Sequence, residues 1–388
     1  MTTPMKIITD NAALAAFCKA AAKHPYLTID TEFIRERTYF PQLCLVQVAY
    51  EGDAAIIDPL VAGIDLAPLF TLLQNPKVVK VFHAARQDIE IFYHLSGEMP
   101  TPIFDTQIAA SVCGHGDAAS YESLVNAIVG ASIDKSSRYS DWAARPLSET
   151  QLSYALSDVT HLRVVYEKLL AEVEKTGRGS WIEEEFAHLT DKKLYDIDPK
   201  NSYKRIKAGS LRPRHLVVLR ALAAWREDLA RSSDVPRGRI VKDEVLVELA
   251  LVSPKNEAEL ARIRNINAGL AKKHIKAILQ CVEEALAIPN TEWPQANKGR
   301  KQPEGTSTIV SMLQLLLKVQ ADKHNIAGAM IANKDDLETL ALGQDSPLTS
   351  GWRYDVFGQA AEALMLGKLK ISLNPKNKSV VLEILEAI

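Results

Sequence analysis

Short apolar runs separated by amphipathic stretches dominate the first ~175 residues. The runs at 5–8, 26–30, 44–50, 54–58 and 78–82 have the length of strands, and Glu51-Gly52-Asp53 between two of them predicts a hairpin. Helical periodicity fills the gaps at 11–23, 66–74 and 86–95, with further helical segments up to Val129. Strands alternating with helices predict an α/β domain built on a mixed sheet flanked by helices, with functional groups at strand ends. Ser148-Glu149-Thr150-Gln151 then opens a further helix with capping-box chemistry, the serine hydroxyl and the glutamine each satisfying a backbone N–H.

Beyond Gly177 the pattern becomes helical. Amphipathic stretches run over 215–231, 243–251, 257–263 and 268–287, and again from Ser307 to about residue 366, before a short strand at 369–373. The Pro-, Gly-, Asn- and Lys-rich stretch 288–305 between them reads as a linker. The expected division is an α/β domain over 1–190, a connector over 191–211, a helical domain over 212–290, a linker over 291–306 and a second helical domain over 307–388.

Composition removes several function classes. No stretch approaches the roughly 20 apolar residues of a membrane span, and no secretory leader is evident, so a cytoplasmic protein is expected. Cys18, Cys44, Cys113 and Cys281 have no metal-type spacing and read as reduced packing residues. The net charge of −2 conceals an asymmetry, since residues 1–175 carry a balance of −7 and the remainder +5. Eight Lys and Arg residues against two Asp between Lys192 and Arg214 suit a polyanionic partner, although a solvated linker would have the same composition.

The acidic front half contains the candidate chemistry. Asp30 and Glu32 stand two residues apart in Thr28-Ile29-Asp30-Thr31-Glu32-Phe33, so an extended chain turns both to one face. Asp88 closes the run His83-Ala84-Ala85-Arg86-Gln87-Asp88 near the start of the helix expected over 86–95, and Tyr154 and Asp158 share one face of the capped helix at i and i+4. Four carboxylates brought together repel one another and resist desolvation, so they need cations. All-oxygen ligands suit Mg²⁺ or Mn²⁺, and a pair of such ions is a common apparatus for phosphodiester hydrolysis. On this reading Asp30 bridges two ions, Glu32 and Asp158 complete the first, and Asp88 supports the second. Tyr154 orients the attacking water, because a free phenol titrating near 10 is a poor base at neutral pH.

These motifs, in this order, resemble the bacterial ribonuclease D family, in the tyrosine branch of the DEDD exonuclease superfamily. The resemblance rests on Thr28 to Phe33, Leu43-Cys44-Leu45-Val46-Gln47, Val81 to Asp88, and the run from Ser140-Asp141-Trp142 through Arg145-Pro146-Leu147 to Tyr154 and Asp158. The histidine branch carries His five residues before its last Asp, and here that position is Ser153. The resemblance implies a ribonuclease H-like exonuclease domain, two divalent ions, and 3′→5′ release of 5′-monophosphates from RNA, with transfer-RNA precursors as substrates; no obligate protein partner is evident in the sequence. Residues 212–290, with Trp225-Arg226 and Val235-Pro236, resemble the helicase-and-RNase-D C-terminal (HRDC) domain, and 307–388 a diverged second copy. Arg264-Asn265-Ile266-Asn267 departs from the Pro-Gly-type turn common in that domain.

Phe33 could stack on the terminal base, and His83, Arg145 and Arg138 could contact substrate. The plain alternatives are a core aromatic for Phe33 and a loop tether for Arg145. Gln47 reads as a buried amide with its hydrogen bonds satisfied, and Trp142, Trp225 and Trp352 as core anchors. Two rival functions remain: a DNA 3′–5′ exonuclease, since the metal site does not select ribose, and a catalytically silent nucleic-acid scaffold.

Overall fold

A computed structural model describes residues 6–133, 140–263, 268–295 and 303–385. Arg138 and Arg264 to Asn267 lie outside the described residues. The chain forms two compact units, one comprising 1–32, 44–190 and 302–388 and the other 33–43 and 191–301.

The first unit is centred on a six-stranded sheet. In chain order its strands are β1 (Ile7–Ile8), β2 (Tyr26–Ile34), β3 (Gln42–Tyr50), β4 (Asp53–Ile57), β5 (Val79–Phe82) and β6 (Ile103–Asp105), and across the sheet they run β1-β4-β3-β2-β5-β6. β3 and β4 are the expected antiparallel hairpin, with Gly52 at φ +93° in the turn, whereas β2, β5 and β6 are parallel. The helices of this α/β layer are α1 (Asn11–Ala21), α2 (Ala67–Leu73), α3 (Arg86–Ser96), α4 (Thr106–Val112), α5 (Tyr121–Leu124), α6 (Glu149–Thr176) and α7 (Gly179–Leu189). Leu27 and Ile29 of β2, Val46 and Val48 of β3, and Val81 and Phe82 of β5 are all buried, as a central sheet covered by helices requires.

Two devices fix α6. Ser148 accepts from the Gln151 N–H (3.2 Å) while Gln151 Oε1 accepts from the Ser148 N–H (3.0 Å), which is the capping box read from sequence. Val159, Leu162, Tyr166 and Leu169 bury one stripe of the helix, and Gly177 ends it at φ +68°. The strand extents differ from expectation at one important place. β2 continues past the expected end at Asp30 to Ile34, so Glu32 also lies within the strand.

The second unit holds α8 (Pro213–Ser232), α9 (Arg237–Ile240), α10 (Asp243–Val252), α11 (Glu257–Leu260) and α12 (Ala268–Ala287), packed around Val217, Leu222, Leu246, Leu249 and Ile278. The remaining elements, α13 (Thr306–His324), α14 (Gly328–Ile331), α15 (Lys334–Ala341), α16 (Gly351–Arg353), α17 (Gln359–Met365) and the hairpin β7 (Leu369–Leu373) and β8 (Val380–Ile384), belong to the first unit. There Trp352 stacks on Trp181 of α7 at 4.7 Å, and Arg353 pairs with Glu184 (2.9 Å) and Glu185. Arg178 donates to the carbonyls of Val112, His324 and Asn325.

Candidate active site

β2 and α6 are joined at the point where the chemistry lies. The buried Thr28 hydroxyl donates to the Val159 carbonyl at 2.8 Å, tying the strand carrying Asp30 and Glu32 to the turn of α6 carrying Asp158. Alternation turns Thr28, Asp30 and Glu32 to one face of β2. On the other face Thr31 donates to Asp88 Oδ1, so the strand also holds the first turn of α3. Asp105 sets that turn from below: its carboxylate caps α4 and accepts from the backbone N–H groups of Ala84 (3.1 Å) and Ala85 (2.8 Å).

Asp30, Glu32 and Asp158 each offer a carboxylate oxygen, and the three oxygens lie within 4.8 Å of one another. Asp88 stands beside this group. Its strongest charge interaction is repulsion by Asp30, which adds to burial in raising its carboxyl well above the ordinary range. Burial pushes Asp30 up to about 6 against a hydrogen bond from the Thr31 backbone. Burial followed by repulsion from Asp30, Asp158 and Asp88 pushes Glu32 up to about 10. Burial followed by the Asp30 charge pushes Asp158 up to about 8, opposed by a hydrogen bond from Tyr154. One Asp158 oxygen, Oδ1, is buried without a hydrogen-bond partner among the described residues. An all-oxygen set of mutually repelling acids with an unused buried lone pair fits a hard divalent cation.

The site opens into a cleft of about 400 Å³ lined by Asp30, Tyr154 and Asp158 together with His83, Gln107 and Tyr121. His83 is wedged in place, its Nδ1 3.0 Å from the Thr106 hydroxyl and its ring 5.4 Å from that of Tyr121, and burial lowers its pKa. Sequence reading missed Tyr121. Its phenol donates to the Asp158 carbonyl, and burial followed by the charges of Asp158 and Asp30 raises its pKa. Only its position after the helix-capping Ser120 marked it in the sequence, and that signal does not point to a site. Thr28 and Thr31 were visible as part of the motif, but their hydrogen bonds across elements were not.

Arg145 is engaged within the protein. Its Nε and Nη2 bind both oxygens of Asp58 (2.7 and 2.8 Å), and its remaining N–H groups reach the carbonyls of Trp142 (2.7 Å), Ala144 (2.8 Å) and Cys44 (2.8 Å). All five donors of the guanidinium have partners, the arrangement that the loop-tether alternative requires. Phe33 is half-buried at the end of β2, and its segment belongs to the second unit. Gln47 is fully buried, but neither of its amide atoms meets a protein partner among the described residues. Trp142 is buried beside Tyr154 with ring centroids 6.2 Å apart, and Trp352 is buried as expected.

Comparison with known proteins agrees with this architecture. Residues 5–174 match the 3′–5′ exonuclease domain family, and residues 215–282 match the HRDC domain. Ribonuclease D of Jannaschia sp. (strain CCS1) is 46% identical over 380 residues, covering 96% of this chain and 98% of that protein. Ribonuclease D of Bartonella henselae is 45% identical over 374 residues, covering 95% of this chain and 92% of its own length. The crystal structure of Escherichia coli RNase D, described as an exoribonuclease involved in structured RNA processing, superposes with a TM-score of 0.85 at 32% identity, over 94% of this chain and 99% of that one. Nearly full-length similarity of this kind, on a chain with these acidic motifs, means that the protein belongs to the ribonuclease D family of 3′→5′ exoribonucleases.

Proposed function

We propose that this chain hydrolyses single nucleotides from RNA 3′ ends as 5′-monophosphates, using two Mg²⁺ or Mn²⁺ ions held by Asp30, Glu32, Asp88 and Asp158. The observation that carries the reading is the convergence of the Asp30, Glu32 and Asp158 oxygens within 4.8 Å. When bound, ions there would supply positive charge to the scissile phosphate and to the attacking and leaving oxygens. Asp30 would serve both ions, Glu32 and Asp158 the first, and Asp88 the second. Thr28 and Thr31 would keep these carboxylates in register through their contacts to α6 and α3. Tyr154 would present its phenol to the attacking water and align it by hydrogen bond. His83, Gln107 and Tyr121 would wall the cleft that receives the terminal nucleotide.

Selection of RNA over DNA requires a contact to the ribose 2′-hydroxyl. The domain division given above would assign backbone grip to the basic connector 191–211 and the helical domains, with binding that weakens as salt rises. Transfer-RNA precursors are the proposed substrates, cytoplasm the proposed location, and no obligate protein partner is invoked. Among the described residues no helix is long and apolar enough to cross a membrane.

The test is digestion of a 3′-extended RNA and its DNA counterpart with Mg²⁺ or Mn²⁺. Stepwise shortening from the 3′ end, faster on RNA, is expected. Equal or faster cutting of DNA would favour the DNA exonuclease, and binding without cleavage under either ion would favour the scaffold.

A further inference from the structure

The segment between the catalytic strand and its neighbour crosses from one unit to the other. Glu32 is the last residue of the first unit before the crossing, and Cys44 is the first after the return. Residues 33–43 therefore form a strap that continues β2 and β3 but belongs by its packing to the helical unit. Tyr39 is buried in that unit's core cluster, with Phe40 packed against the cluster.

The strap is clamped by a built polar site. The Tyr39 phenol donates to Glu227, a fully buried carboxylate on α8. Arg237 grips the same carboxylate through Nε and through Nη2 at 2.8 Å, and its Nη2 also donates to the Tyr39 oxygen at 3.0 Å. Arg231 Nε donates to that oxygen at 3.1 Å. Burial alone would raise the Glu227 carboxyl, yet hydrogen bonds from Arg237 and Tyr39 with the charges of Arg237 and Arg231 hold it below its ordinary value. A second clamp fixes the backbone. Asp234, itself at φ +48°, accepts from the N–H groups of both Tyr39 and Phe40 at 3.0 Å. A side chain in a left-handed conformation carries strain that its two hydrogen bonds offset.

We infer that the helical unit takes part in catalysis through this strap, with Tyr39 as a positioning residue that sets where Glu32 and Asp30 stand on β2. The inference rests on the metal-dependent nuclease reading and extends it: α8 and the turn after it steady the metal-binding strand by a covalent path, whether or not they touch substrate. β2 extends unbroken to Ile34, leaving only four residues between the end of the strand and the clamped Tyr39.

The test uses the full chain carrying Tyr39→Phe or Asp234→Gly. The first removes one hydroxyl, and the second, at an exposed position, removes the backbone clamp while tolerating the positive φ. Three measurements are made below the melting temperature: the Mn²⁺ dissociation constant by calorimetry, kcat and KM on a p-nitrophenyl ester of a nucleoside 5′-monophosphate, a substrate too small to need the helical unit, and RNA affinity without metal. Each variant is expected to weaken Mn²⁺ binding three- to ten-fold and lower kcat at least five-fold, with RNA affinity in the absence of metal within two-fold of the wild type. Variants that melt earlier but keep the wild-type Mn²⁺ constant and kcat would overturn the inference, leaving the strap a packing element. A wild type that binds Mn²⁺ but hydrolyses nothing would refute the nuclease reading alone, and the Mn²⁺ constants would still decide the role of the strap.

Discussion

The acid cluster predicts that metal binding and proton release are one event. Without cations, Asp30, Asp158 and Glu32 titrate near 6, 8 and 10 respectively, and Asp88 well above its ordinary value. Interacting acids lose their protons in steps that belong to the cluster as a whole. At pH 7 the metal-free site therefore retains protons that a cation must displace, and on the order of two should leave when the site fills. Each proton displaced adds one unit to the slope of log K against pH, about 1.4 kcal/mol per pH unit. The affinity for Mg²⁺ should thus rise roughly tenfold to a hundredfold between pH 6.5 and 7.5. The sign for stability follows from the same shifts. These folded-state values lie above the unfolded ones, so the metal-free protein keeps their stabilisation below about pH 4 and loses it as pH rises through 6, 8 and 10. Calorimetry in buffers of different ionisation enthalpy counts the protons, and melting temperatures with and without Mg²⁺ at pH 6, 7 and 8 read the stability. The stabilisation by Mg²⁺ should grow with pH. Metal binding that releases no protons, or a Mg²⁺ effect that is flat in pH, would refute this account of the cluster.

Other changes separate chemistry from scaffolding. Asp30→Asn should abolish turnover, by at least about a thousandfold, while RNA binding without metal stays measurable; full activity would remove Asp30 from the site. Tyr154→Phe should lower kcat by about 10²-fold with KM and Mg²⁺ affinity little changed, a split that steady-state kinetics and calorimetry would show. Arg145→Ala, which strips Asp58 and three carbonyls of their donor, should cost roughly 2–4 kcal/mol in thermal or urea unfolding. Loss of RNA affinity at unchanged stability would instead return Arg145 to substrate binding.

What the sequence revealed depended on how local the signal was. The β3–β4 hairpin, the capping box of α6 and the i, i+4 pair Tyr154 and Asp158 are all encoded within a few residues, and all appear in the fold as read. Asp30 and Glu32 were legible because alternation alone sets their common face. The extent of β2 was not, since Phe33 and Ile34 extend the strand toward a segment whose packing is determined some 190 residues later. For the same reason the Tyr39 clamp was invisible: Glu227, Asp234 and Arg237 have no local pattern that points back to it. Arg145 was ambiguous because a guanidinium serves phosphate and carboxylate alike, and the proximity of Asp58, 87 residues away in sequence, has no local signal. The strand β8 escaped notice as well, although Val380-Val381-Leu382-Glu383-Ile384 has β-branched character.

The most direct measurement is mass spectrometry of the products released from a 3′-hydroxyl RNA in ¹⁸O-enriched water with Mg²⁺, with Asp158→Ala alongside. The account predicts single nucleoside 5′-monophosphates, each carrying one ¹⁸O on its phosphate, released in order from the 3′ end, with none from the variant or without divalent ion. Cyclic 2′,3′-phosphates, internal fragments, or undiminished release by Asp158→Ala would contradict it.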